Sequence, residues 1–483
     1  MELKYRIFIK LRIKSRDNGN LNPFNLCNDE ITSRSQHFII IGLPFLGLTT
    51  KYDSRSAIIR QTPTGAEHLP QLKLLAISLA YPPLAYPRSI QVARLLKYVD
   101  ASTVLVCGNE ADARKDLTIE PDAEEKLEAC LRIPVENTGG QQFIDRLAYR
   151  FHRGLWNRRN MAPDNYGSWK KAVLAEISGF VRANNYRPDV VATFAQPFTD
   201  HLIGLELKQR YGLPWLAHFS DPWVDNPFNN YDEQTKALNL SLERQVVESA
   251  DILAFTSRET IDLVLAKYPT ALREKARILP QSFDPSLFQF AGLDAKSKIT
   301  IRYIGNFYGQ RTAAPLIDAL RLMLATDADL LNEVRFELIG INDPAFIHDA
   351  GGNTLPPELL NVYPSVEYHE SLRLMSEADG LLVIDAPADI SVFLPSKLID
   401  YIGAGRPVLG ITPPGTAASL IQNLGGPVID PSDSHSISEA LTNFVDLLKK
   451  RRVADFETWG TPHVRSQFEV SRVAASFKAM LPR

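Results

Sequence analysis

The chain has 483 residues, enough for about three ordinary domains or two large α/β domains. Apolar residues make up 45% and charged residues 23%, ordinary globular usage, and 53 basic against 56 acidic side chains leave a net charge of −3, without the basic surplus of a dedicated nucleic-acid binder. Cys27, Cys107 and Cys130 form no CxxC pair, which argues against a thiolate zinc site and for a reducing compartment, the cytoplasm.

The first 70 residues differ from the rest. Residues 1–16 hold six basic side chains and one acid, Glu2, with Ile7, Ile9, Leu11 and Ile13 at strand period. An Asn-rich stretch follows, and the apolar run at 37–48 is broken by Gly42, Pro44 and Gly47, short of the ~18 residues that span a bilayer. The pattern is not that of a cleavable secretory signal. Residues 1–70 read as an extension, ordered in part at best.

From residue 72 apolar runs alternate with helix-length patterns. LKLLAIS (72–78) is a strand, and a proline-rich turn leads to a helix over 88–98. ASTVLVCG (101–108), PDVVATF (188–194), LPWLAHF (213–219), ADILAFTS (250–257) and ARILPQS (276–282) are further strands, with helices over 200–210 and 259–267. After a linker at 283–297 the series restarts with ITIRYIG (299–305), VRFELIG (334–340), GLLVIDA (380–386), PVLGIT (407–412) and PVID (427–430). Strands of 5–8 apolar residues separated by helices are βα units on parallel sheets covered on both faces. Two such series predict two doubly wound, Rossmann-like domains facing across a cleft, with ligands at the carboxyl ends of the strands. The expected boundaries are 71–288, 289–463 and a last helical segment, 464–483.

Four segments carry residues suited to chemistry. In PSKLIDYIGAGRP (395–407), Ser396 is a candidate N-cap, and a helix starting there aims free N–H groups at a phosphate. Lys397 adds charge, and Asp400, three residues on, can accept from two vicinal ribose hydroxyls. A plain capped helix with both side chains in water fits equally well. In YIGNFYGQRT (303–312), Gly305 and Gly309 let backbone approach a ligand and Arg311 can grip a phosphate. In HFSDPW (218–223), His218 and Asp221 are candidate sugar contacts and Trp223 a candidate ring platform, although a core histidine and a simple Asp-Pro turn explain the segment too. In YPPLAYPRS (81–89), Arg88 near a helix start can face an anion. GxGxxG, GxxxxGK[ST], HExxH and GxSxG are all missing, so dinucleotide, P-loop, zincin and serine-hydrolase chemistry have no support.

In this order, HFSDPW, ADILAFTS, YIGNFYGQR and PSKLIDYIGAGRPVLG resemble the retaining glycosyltransferases of family 4, which have two Rossmann-like domains (the GT-B type). The resemblance runs from residue 72 to the C-terminus. It implies that Arg311 and Lys397 hold the diphosphate of a nucleotide-sugar donor and that Asp400 replaces the family's ribose-binding glutamate. His218 would lie near the transferred sugar. Gly305, Asn306, Gly309, Ser396, Leu398, Asp221 and Arg88 complete the substrate-binding set. The last helical segment would cross back to the first domain. The implied reaction is metal-independent sugar transfer with retention, without a cofactor, to a saccharide or lipid-linked saccharide in bacterial polysaccharide assembly. The expected location is cytoplasmic, with room for peripheral contact at the membrane's inner face. Two features depart from the family: the acid expected eight residues before Asp400 is Val392, which puts the sugar and the activity in question, and the first turn has prolines where many relatives have glycines. A nucleotide-sugar epimerase and a silent sugar-nucleotide-binding subunit remain as alternatives.

Overall fold

In a computed structural model the chain is described at residues 71–84, 86–109, 124–135, 162–164, 166–288, 298–307, 309–341, 343, 345–453 and 458–482. The expectation for residues 1–70, the apolar run at 37–48 included, lies outside the described residues.

The first sheet holds β1 (Lys73–Ser78), β2 (Ser102–Asn109), β3 (Leu127–Pro134), β4 (Val190–Ala195), β5 (Trp215–Phe219), β6 (Ile252–Phe255) and β7 (Ala276–Ile278). Its helices are α1 (Pro87–Tyr98), α2 (Gly167–Asn184), α3 (Thr199–Tyr211), α4 (Glu233–Ser249) and α5 (Arg258–Leu265). The second sheet holds β8 (Ile299–Ile304), β9 (Val334–Ile339), β10 (Leu360–Tyr363), β11 (Gly380–Ile384), β12 (Val408–Ile411) and β13 (Val428–Ile429). Around it run α6 (Ala314–Thr326), α7 (Ala328–Asn332), α8 (Ala345–Asp349), α9 (Tyr368–Glu377), α10 (Ser396–Ala404), α11 (Thr416–Asn423) and α12 (Ser434–Val453). The chain ends in α13 (Pro462–Ser466) and α14 (Val470–Met480).

Every strand pair among the described residues is parallel. The orders are β3-β2-β1-β4-β5-β6-β7 and β10-β9-β8-β11-β12-β13, the doubly wound plan twice over. Parallel strands need helical crossovers, so both sheet faces are covered and the strand centres are mostly apolar. β1 and β4 accordingly read LLAIS and VVATFA with no exposed residue after Lys73. The edge strand β3 alternates buried and exposed residues instead. It was not among the predicted strands, and neither was the edge strand β10, because polar side chains interrupt the apolar signal in both, whereas the other edges, β7 and β13, fall in predicted runs.

In each sheet the order reverses beside the first strand, at β1/β4 and at β8/β11. The carboxyl ends at these two switch points form the crevice of a doubly wound domain. After β13 and α12 the chain returns: Val473, Ala474 and Phe477 of α14 pack with α1 residues Val92 and Leu96 in the first domain's core.

Candidate active site

At the second switch point, β8 leads into 305–311 and β11 into 385–395. Gly305 has a φ of 154°, a conformation that favours glycine, and a Cβ there would overlap the present position of Lys397 Nζ. Lys397 Nζ donates to Tyr303 Oη at 2.8 Å and lies 4.1 Å from the centre of that ring. Tyr303 Oη donates onward to Asn306 O at 3.2 Å. Burial, followed by the neighbouring Arg311 guanidinium, lowers the Lys397 pKa well below its ordinary value, with Asp385 opposing. Arg311 is buried and paired with Asp385, Nη2 to Oδ1 at 2.6 Å. Asp385 also accepts from the Ala386 N–H and from Ser391 Oγ. Two cations thus converge with one carboxylate at the crevice.

The helix α10 begins at this point. Its N-cap is Pro395, whose carbonyl accepts from the Leu398 N–H at 3.0 Å, and no side chain caps the helix. Ser396, expected as the cap, is the first helical residue, because Pro395 supplies the extended φ and ψ that a cap requires. Tyr401 locks the helix to β8: the Ile304 N–H donates to its Oη at 2.9 Å. The Leu398 side chain is fully buried in the second domain's core, so neither it nor its bonded N–H reaches the crevice. Asp400 is buried and faces the other domain, where Arg94 Nη1 lies 3.1 Å from Oδ1. Asn306 and Gly309 are exposed.

In the first domain, Arg88 opens α1 at the other switch point. Its Nη2 donates to His218 Nδ1 at 2.9 Å, and His218 Nε2 donates to Leu279 O at 3.3 Å. This pattern assigns the neutral Nε2–H tautomer. Burial and Arg88 keep the ring's pKa well below normal. His218 has both nitrogens engaged and lines a small cavity with Arg88, Gln91, Gln281 and Ser282. Asp221, half-buried, accepts from Ser220 Oγ at 2.9 Å, and burial raises its pKa. Trp223 is no ring platform. It is wholly buried, stacked 4.6 Å from Phe198 and bonded through Nε1 to Asn239.

The domains are joined beside these groups. The Val392 carbonyl accepts from three hydroxyls, Ser257 and Thr260 of the first domain and Thr416 of the second, at 3.1–3.2 Å. Gln281 donates to Leu394 O, and Phe228 stacks on Phe393 at 5.2 Å. Arg94 was missed from sequence. Its one signal was a charge inside the buried stretch 92–96 of α1. Among the described residues no three His, Cys, Asp or Glu side chains converge as a metal site, and no helix is long and apolar enough to cross a membrane.

No protein-family model and no curated protein matches the sequence. Solved structures match it in shape. The structure of Anabaena HepE in complex with UDP-glucose superposes with a TM-score of 0.56 at 14% identity, covering 85% of this chain and 99% of that one. Sucrose-phosphate synthase from Thermosynechococcus elongatus gives 0.57 at 15% identity, over 85% of this chain and 98% of its own. A glycosyltransferase from Rickettsia africae gives 0.55 at 13%, over 86% of this chain and 100% of its own. The shared property is the fold, two Rossmann-like domains of the GT-B type.

Proposed function

We propose that the protein is a glycosyltransferase that takes a sugar from a nucleotide-sugar donor, with uridine diphosphate as the first leaving group to test. One observation carries the reading: Arg311, Lys397 and the uncapped start of α10 converge at the second switch point, with the first domain opposite. When the glycosidic bond to phosphate breaks, negative charge develops on the diphosphate oxygens. Cations and a helix N-terminus already held in place stabilise that charge without reorganising in the transition state. Asp385 holds the Arg311 guanidinium by one oxygen. Lys397 rests on Tyr303 until an anion arrives. HepE, bound to UDP-glucose in the matching structure, supports the uridine nucleotide. The family 4 resemblance supports retention of configuration and a saccharide acceptor in polysaccharide assembly. The acceptor would enter against the first domain's Arg88 and Asp221.

Lys397 gives this reading a proton signature. Its pKa is depressed while the site holds no anion, and an adjacent diphosphate raises it. Donor binding should therefore take up a proton at any pH where the free lysine is partly neutral, and affinity should fall as pH rises through the lysine's titration. Calorimetry of UDP binding in two buffers of different ionisation enthalpy measures the uptake directly. Lys397→Met should abolish it. Arg311→Ala and Lys397→Ala should each lower turnover of a UDP-sugar by roughly 10- to 150-fold, the worth of one charge-assisted contact of ~1.5–3 kcal/mol. Full activity in both variants would remove the clamp.

Val392 favours a second reading. The residue eight positions before Asp400 carries no acid, and its carbonyl is tied to three hydroxyls. A silent nucleotide-sugar-binding subunit would bind UDP and release none from UDP-sugars with any acceptor.

A further inference from the structure

Arg94 and Asp400 are 306 residues apart in sequence and meet across the two domains. Their side chains are 3% and 11% exposed. Arg94 Nη1 donates to Asp400 Oδ1 at 3.1 Å and to Ser282 O at 2.7 Å, which fixes the guanidinium between the linker and α10. Its plane lies 5.3 Å from the centre of the Tyr368 ring. Tyr368 Oη, from α9, donates to the same Oδ1 at 3.1 Å. Both protein donors therefore fall on one carboxylate oxygen. Asp400 Oδ2 accepts from no described residue, and the side chain as a whole is 11% exposed. The carboxylate is held by one oxygen and offers the other.

Such an oxygen accepts most strongly from a diol while the acid is ionised, and a protonated carboxyl gives up part of that acceptor capacity. Burial opposes ionisation here and raises the pKa of Asp400, and the charge of Arg94 opposes that rise. The titratable and charged groups facing Asp400 among the described residues are Arg94 from α1, Tyr368 from α9 and Tyr401 of its own helix. Arg94 is the cation among them. It belongs to the opposite domain, so Arg94 offsets the burial of Asp400 and aims its carboxylate while α1 rests against α10. Arginine suits the task, since its rigid fork serves Ser282 and Asp400 together.

We infer that Arg94 is a positioning residue of the donor site, which makes recognition of the donor's vicinal hydroxyls in the second domain conditional on closure of the first. The inference rests on the nucleotide-sugar reading above.

The test is calorimetric titration of the full chain with UDP and with 2′,3′-dideoxyuridine diphosphate across the range from mildly acidic to mildly alkaline pH. Arg94→Met should weaken UDP binding about tenfold or more at neutral pH, the worth of a charge-assisted contact. It should also move the acidic limb, where binding is lost, to higher pH, because the unpaired carboxyl holds its proton longer. Arg94→Lys should restore part of both. The dideoxy ligand should bind wild type and Arg94→Met alike. Arg94→Met binding UDP as tightly as wild type at every pH overturns the inference, as does an equal loss with both ligands. If Arg94→Met does not fold, Tyr368→Phe removes the other bond to Oδ1 while keeping the ring. It should move the same acidic limb upward, and an unmoved limb overturns the inference. Wild type that binds no UDP, GDP or ADP overturns the donor reading and this inference together, whereas UDP binding insensitive to Arg94 overturns this inference alone.

Discussion

Asp200 is a buried acid at the start of α3, held by two N–H donors. Trp169 Nε1 donates to Oδ1 and the Leu79 N–H to Oδ2, each at 2.8 Å. Burial pushes its pKa up to about 7, against these two bonds and the Arg88 charge. The folded acid therefore keeps a proton that the unfolded chain loses near pH ~4. Between about pH 4 and 7 the native state binds more protons, so stability falls as pH rises, at most by roughly 1.4 kcal/mol for each step of one in pH. Asp200→Asn does not titrate and should lack this slope. Its own cost is a mismatch, because an amide offers one oxygen to two donors. Urea unfolding of both proteins across this range compares them, with the advantage of wild type shrinking as pH rises. Parallel profiles would mean that Asp200 is ionised throughout.

Among the elements, α2 and α3 each carry a glycine, and one substitution should act with opposite sign in the two. Gly204 of α3 lies against β4 and β5, where a Cβ would overlap the Trp215 indole and Thr193 Cγ2. The indole cannot yield, since its Nε1 donates to Thr193 Oγ1 at 2.9 Å. Overpacking costs typically 1–3 kcal/mol, more than the ~0.5–1 kcal/mol of helix propensity that alanine adds. Gly204→Ala should therefore lower stability by about 1–2 kcal/mol. Gly179 of α2 has nothing within 4 Å of a built Cβ. Gly179→Ala should raise stability by about 0.5–1 kcal/mol, because only propensity and chain entropy change. Thermal melts of the two variants against wild type would show the two shifts, and equal shifts would contradict the packing argument.

At the scale of the whole molecule, two sheets built on one plan are tied by a helix from the far end of the chain. Phe477 of α14 is fully buried in the first domain, 5.9 Å from Phe194 on β4. Phe477→Ala should cost ~3–5 kcal/mol, as a large aromatic removed from a packed core does. The loss should appear in the first domain, although the changed residue follows the whole second domain in sequence. Hydrogen exchange of β1 and β4 amides would register it. Protection unchanged there, with loss confined to the second sheet, would contradict the packing of α14 on α1.

The sequence by itself determined the two βα series, because a parallel strand buried on both faces must be a continuous apolar run. VVATF, WLAHF and ITIRYI are such runs, interrupted by Thr193, His218, Thr300 and Arg302, and each is a central or near-central strand. It also marked Gly305, Arg311 and Lys397, since glycines and cations after successive strands of one series fall at the same sheet end. Two of the four edge strands stayed hidden: LEACLRIP and LNVY alternate or expose polar groups, which interrupts the apolar signal. Only the tertiary structure decided burial. Trp223 and Leu398 look like ligand contacts along the chain and are core residues in space, and Ser396 yields the cap to Pro395. Arg94 reads as one more helix arginine until folding brings Asp400 to it from 306 residues away. A side chain's partner across two domains depends on how the sheets twist and pack, and local sequence holds no record of that distance.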